Sequence, residues 1–129
     1  MENKPCIMAV DDDEKILRVI EALLIPHGYR VILTHNGQEA LTLMGNIMPD
    51  IVLLDIFMPK MDGYTTLGEM KKNAATKDVP VVMVTAVGQE LNKKLASTLG
   101  AAEYITKPFK SAELLEVINR LLPASYPVA

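Results

Sequence analysis

The chain has 129 residues, half of them hydrophobic and 22% charged. That composition fills a single core without disulfide staples and excludes a disordered segment. A net charge of −3 and a pI near 5.3 leave no basic footprint, so direct binding to nucleic acid or anionic lipid is not expected and the partners should be proteins or small ions. Cys6 has no second cysteine to pair with, and its apolar setting reads as a small buried residue rather than a reactive thiol. The segment before the first acidic cluster is too short and too soon charged for a signal peptide or membrane span, which predicts a cytoplasmic protein.

In chain order, Ile7 to Val10 is a short apolar run that ends in Asp11-Asp12-Asp13. From Glu14 the period becomes helical: Ile16, Ile20, Leu23 and Leu24 share one face, Glu14, Lys15, Arg18 and Glu21 the other, and Pro26 and Gly28 mark the end. Tyr29 to Thr34 is β-branched and partly alternating, as expected of an edge strand, and Asn36-Gly37 opens a second helix carrying Ala40, Leu41 and Met44. Ile51 to Leu54 reads as a strand buried on both faces; it stops at Asp55 and a loop bounded by Pro59 and Gly63.

Leu67 and Met70 suggest a third helix, fading into the polar stretch 71–78, and Pro80 to Thr85 reads as a fourth strand, again buried on both faces. Leu91, Leu95 and Leu99, four apart, mark a fourth helix with Gly100 as its C-terminal cap. The fifth strand, Glu103 to Thr106, runs into Lys107-Pro108, and a last helix starts near Ser111 as N-cap and carries Leu114, Leu115, Ile118, Leu121 and Leu122 before Pro123. The expected fold class is α/β: a doubly wound, five-stranded parallel sheet with five helices. One domain is expected over 1–129, with its core at about 4–123 and a short tail.

Four predicted strands end in functional side chains: Asp11 and Asp12, Asp55, Thr85, and Lys107. Parallel strands bring these ends to one edge, where α/β sheets bind ligands. Converging carboxylates raise one another's pKa unless a cation neutralises them, and the economical cation is Mg²⁺, which takes carboxylate oxygens and leaves positions for phosphate oxygens. Lys107 supplies a mobile positive charge for a phosphoryl oxygen and Thr85 a hydroxyl donor. Asp55, isolated after an apolar strand, is the candidate nucleophile, whereas the paired Asp11 and Asp12 suit the metal. Blander roles stand beside these: Asp55 as a turn former, Asp11 and Asp12 as a helix N-terminal acidic cluster, Asp13 as a cap, Thr85 as an ordinary strand end.

With Val10-Asp11-Asp12-Asp13, Leu53 to Gly63, Val84-Thr85-Ala86, Leu99 to Tyr104 and Lys107-Pro108-Phe109 in this order, the sequence resembles the receiver domain of two-component response regulators over roughly residues 4–123. The resemblance implies a flavodoxin-like strand order of 2-1-3-4-5, the order the chemotaxis receiver illustrates. It implies that Asp55 accepts a phosphoryl group from a phosphohistidine of a sensor histidine kinase or phosphotransfer protein. Asp12 would bind Mg²⁺ directly, Asp11 through water, and Phe57 through its backbone carbonyl. Lys107 would contact the phosphoryl group, with Pro108 holding a turn that is often cis. Thr85 and Tyr104 match the family's switch pair, which reshapes the surface of the fourth helix, fifth strand and fifth helix. That surface would meet a downstream protein or output domain, with the chain a monomer or a weak phosphorylation-dependent dimer. It would be a phosphoacceptor, not a turnover enzyme.

Two positions depart from the polar variants of the family: Phe57 and Val87, which flank the path of attacking water, are both apolar, and a slow intrinsic loss of phosphate is expected. Ala102 replaces an acidic residue that transcription-factor receivers often use in dimer contacts. A metal-dependent phosphatase with an aspartyl nucleophile would need a second acid where Phe57 stands. A phosphorylation-independent interaction module would usually lack one of the acceptor, acidic or lysine positions, all of which are present. His27 and His35 have no evident partner cluster and are offered as neither ligand nor base, and the methionines read as core filler.

Overall fold

Five short apolar strands, each followed by a helix, leave their backbone groups to be satisfied by parallel neighbours. The structure, a computed structural model, describes residues 4–86 and 90–123. Strands β1 (Cys6–Val10), β2 (Arg30–Thr34), β3 (Ile51–Leu54), β4 (Val81–Thr85) and β5 (Glu103–Thr106) alternate with helices α1 (Glu14–Leu24), α2 (Gly37–Met44), α3 (Gly63–Lys72), α4 (Glu90–Thr98) and α5 (Ser111–Leu121). The strands form one parallel sheet in the order β2-β1-β3-β4-β5. The sheet is the predicted doubly wound one, with β2 at an edge.

Strand pleating divides the core into two layers. Ile7, Ala9, Leu53, Val82, Val84 and Ile105 face Leu17, Ile20 and Leu24 of α1 and Leu114, Val117 and Ile118 of α5. Met8, Val10, Val52, Leu54 and Met83 face Ala40 and Met44 of α2, Leu67 and Met70 of α3, and Ala96 of α4. Burying each large side chain contributes about 1.5–3 kcal/mol, which is what holds the helices to both faces. Three helices start on side-chain caps: Asp13 accepts from the Lys15 N–H, Asn36 from Glu39, and Asp62 from Thr65. Each cap contributes on the order of 1 kcal/mol.

Several helix expectations are corrected. The buried centre of α1 is Leu17 with Ile20 and Leu24, while Ile16 and Leu23 flank it half-buried. Ser111 is the first residue of α5, not its cap; the cap position is Lys110, which makes no side-chain capping bond. The leucines that mark α4 point away from the core: Leu91 is 75% exposed, Leu95 42% and Leu99 37%. Ala96 is the residue of α4 that is buried, so a small side chain lets the helix approach the sheet while its larger apolar residues face outward. At its end Gly100 takes φ +105°, and the Gly100 and Ala101 N–H groups donate to the Ser97 and Ala96 carbonyls, the closure expected of a glycine after a helix.

Cys6 is buried as expected, and its N–H donates to Asp50 Oδ2 at 2.7 Å. Met8, Met44, Met70 and Met83 lie in the core, whereas Met48 is 43% exposed. Among the described residues no helix is long and apolar enough to cross a membrane.

Candidate functional site

The carboxyl edge of the sheet carries the predicted residues because the hydrogen-bond ladder continues past the strand ends. Val10 lies opposite Leu54, and the next residues out, Asp11 and Asp55, donate their N–H groups to the Thr34 and Val10 carbonyls at 3.1 and 3.0 Å. Lys107 is pinned likewise, its N–H donating to Thr85 O at 2.8 Å, and the Lys107–Pro108 peptide is cis. Neighbouring backbones thus bring Asp11, Asp55, Thr85 and Lys107 together from four strands.

Asp11 and Asp55 are buried, Asp12 is exposed, and each offers a carboxylate oxygen within 4.8 Å of the others. Asp11 is held at both oxygens: the Asp13 N–H donates to Oδ1 at 2.8 Å and Lys107 Nζ to Oδ2 at 2.6 Å. The same Nζ stands 3.6 Å from Asp55 Oδ2. Burial, chiefly, and then the charge of Asp11 push the Asp55 pKa above the usual carboxylate range; the Lys107 ammonium, the Thr85 hydroxyl and the Ile56 N–H oppose the rise. Thr85 Oγ1 is fully buried and has no hydrogen-bond partner among the described residues, although its dipole reaches Asp55. A buried hydroxyl left open beside a carboxylate is a donor in waiting for an oxyanion.

The donor set fits a hard divalent cation. Three carboxylates against one ammonium leave the cluster with excess negative charge, and oxygens are the ligands Mg²⁺ prefers. Phe57, two residues beyond Asp55, is 62% exposed. Tyr104 is half-buried at the edge of the α4-side core, and its phenol pKa is raised by burial first and then by Tyr64 and Asp55. Asp13 caps α1, as the blander reading had it. Val87 lies outside the described residues.

Two sets of contacts, at Gly63 and at His35, had no role in the sequence reading. The first residue of α3, Gly63, lies against the backbone of Asp55 and Ile56: a Cβ there would stand 2.2 Å from Asp55 O, and the Gly63 N–H donates to Ile56 O at 2.7 Å. Asp62-Gly63 was legible as a loop end; its reach back to Asp55 needed the fold. His35, expected to lack a partner cluster, has one: Nε2 meets Glu14 Oε1 at 2.8 Å and Nδ1 meets Glu39 Oε1 at 3.3 Å. Glu14 and Glu39 lie in the first turns of different helices and meet at His35 because β1 and β2 are neighbours.

Comparison with known proteins gives the family and agrees with the fold. The profile of the family described as "Response regulator receiver domain" matches residues 7–119. The chain is a response regulator receiver domain. This receiver is 40% identical over 122 residues to the probable transcriptional regulator ycf27 of Guillardia theta, covering 95% of this chain and 47% of that one. It is 39% identical over 120 residues to the transcriptional regulatory protein CpxR of Escherichia coli K12, covering 93% and 50%. The chain therefore spans about half the length of the curated relatives it matches. Its fold superposes on chemotaxis protein CheY4 of Vibrio cholerae with TM-score 0.88 at 28% identity, covering 93% of this chain and all of that one. A second solved neighbour is the receiver domain of sensor histidine kinase PA1611 from Pseudomonas aeruginosa PAO1, described with a magnesium ion coordinated in its active site cleft; TM-score is 0.84 at 31% identity, with coverage of 92% and 98%.

Proposed function

We propose that this receiver takes a phosphoryl group on Asp55 in a two-component phosphorelay and passes the signal by protein contact. The observation that carries the reading is the buried Asp55 beside Asp11, with Lys107 shared between them and the buried Thr85 hydroxyl open toward the same spot. The donor is a phosphohistidine on a sensor histidine kinase or phosphotransfer protein. An Asp55 carboxylate oxygen attacks phosphorus in line, the P–N bond breaks, and its electron pair returns to the leaving imidazole. Asp11, Asp12, Asp55 and the Phe57 carbonyl would hold Mg²⁺, which offsets negative charge on the transferring group when bound. Lys107 moves from the carboxylate pair to a phosphoryl oxygen, and Thr85 Oγ1 donates to another.

Thr85 and Tyr104 then act as the switch: the hydroxyl moves toward the phosphoryl group and the phenol turns into the space it leaves. The α4–β5–α5 surface changes shape for a downstream protein or an output domain. Phosphate shifts this equilibrium only by its difference in contacts between the two states. Leu91 and Leu95 of α4, with Leu99 just beyond it, are exposed at 37–75% and supply an apolar part of that surface. In this reading the chain is a single domain acting in the cytoplasm as a phosphoacceptor, monomeric or weakly dimeric, and is not a turnover enzyme. The outward phenyl of Phe57 cannot orient a water by hydrogen bonding, so phospho-Asp55 is long-lived without a phosphatase. The phosphatase reading lacks its second acid for the same reason.

The test is the ¹⁵N spectrum on adding Mg²⁺ and beryllofluoride, a phosphoryl mimic. Shifts at Asp55, Thr85 and Lys107 that extend into α4, β5 and α5, and vanish in Asp55→Asn, support the reading. Shifts confined to the sheet edge would remove the switch from it.

A further inference from the structure

Helix α4 is loosely held for an element whose position carries the signal. Among its described residues Ala96 is the buried one, and Leu91, Leu95 and Leu99 make no core of their own. A helix in this state takes much of its placement from few polar contacts. One is present in its first turn: the Tyr64 hydroxyl, from α3, donates to Asn92 Oδ1 at 3.1 Å, with the Asn92 carbonyl at 3.4 Å.

The other end of that contact does not move freely. Tyr64 follows Gly63, whose Cα sits against the Asp55 carbonyl and whose N–H is bonded to Ile56. Tyr64 also packs on the same core layer as Tyr104. A side chain anchored at the Asp55 backbone thus reaches over to α4, beside the switch aromatic.

We propose that the Tyr64–Asn92 hydrogen bond is a latch that holds α4 in its resting position, so that Tyr64 sets how readily the receiver switches. This rests on the phosphoryl-switch reading above. A shift of α4 relative to the pinned α3 lengthens or breaks the bond, and its loss adds to the cost of switching. Tyr64 is a positioning residue: its hydroxyl touches neither Asp55 nor the phosphoryl group.

The test is a double-mutant cycle of Tyr64→Phe, Asn92→Ala and the pair, read two ways. Amide exchange of α4 in the unliganded protein tests the latch by itself, whether or not any phosphoryl mimic binds. Beryllofluoride affinity with Mg²⁺ tests its coupling to the switch, and failure of the native protein to bind would reject the receiver mechanism while exchange still decides the latch. The expected result is faster exchange in the first turn of α4 in Tyr64→Phe and beryllofluoride binding about two- to tenfold tighter, the range one hydrogen bond gives. The helix-propensity effect of Asn92→Ala appears in both backgrounds, so only the non-additive part reports the latch. Unchanged exchange and affinity, additive effects, or weaker binding in Tyr64→Phe would each overturn the proposal.

Discussion

Burial and the Asp11 charge both raise the Asp55 pKa, so in the absence of a cation the folded protein bears a cost for ionising its own acceptor. Between the unfolded carboxylate pKa and the higher folded value the native state holds more protons, and stability falls as pH rises through that window. Asp55→Asn removes the charge at constant shape. Without divalent cations it should be more stable than the native protein at neutral pH by about 1–2 kcal/mol, and the gap should close as pH falls. Thermal unfolding against pH checks this; a less stable Asp55→Asn at neutral pH would contradict the burial argument. Lys107 competes for the same oxygens, at 2.6 Å from Asp11 and 3.6 Å from Asp55. Lys107→Ala should therefore bind Mg²⁺ several-fold more tightly by calorimetry, since one ammonium no longer repels the ion, while losing the contact that the proposed mechanism gives to the phosphoryl group.

At the scale of elements, Gly63 ties α3 to the acceptor. A methyl group at that position would stand 2.2 Å from Asp55 O, and its three nearest atoms are all backbone of Asp55 and Ile56, which leaves little room to yield. Gly63→Ala should cost about 2–4 kcal/mol in denaturant unfolding and slow phosphorylation through displacement of Asp55. The His35 clasp joins the starts of α1 and α2. Both ring nitrogens face carboxylate oxygens, which favours the doubly protonated ring, and Glu14 first and then Glu39 raise its pKa. The stabilisation is present below the unfolded histidine pKa and is lost as pH rises through the folded one. An NMR titration should place the His35 midpoint above that of a free histidine; a midpoint at or below it would remove the clasp.

These cases also show what could be read before the fold was seen. Strand ends, the Asp13 cap, the opening of α2 at Asn36-Gly37 and the glycine after α4 depend on local chemistry, so sequence alone located them. The outward turn of Leu91, Leu95 and Leu99 was not legible, because a stripe four residues apart marks a helix face without saying which face meets the sheet. Asp11, Asp55, Thr85 and Lys107 were legible as a set since each ends or follows a strand. The roles of His35, Gly63 and Tyr64 depend on which elements lie side by side, and that information is in the sheet order.

The whole molecule separates a rigid edge from a looser flank. On one side, β1, β3 and β4 are buried throughout and hold Asp11, Asp55 and Thr85 by continuous ladder bonds. On the other, α4 contributes Ala96 to the core and turns its leucines outward. On the proposed mechanism, charge introduced at the edge meets fixed groups and the less firmly packed element is the one that shifts.

The most direct measurement is intact mass after incubation with acetyl phosphate, with and without Mg²⁺, for the native protein and Asp55→Asn. One phosphoryl adduct is expected that requires Mg²⁺, persists after the donor is removed, and is missing from Asp55→Asn. An adduct retained in Asp55→Asn would contradict the assignment of the acceptor, and no adduct with Mg²⁺ bound and several donors tried would contradict the phosphoryl-transfer reading itself.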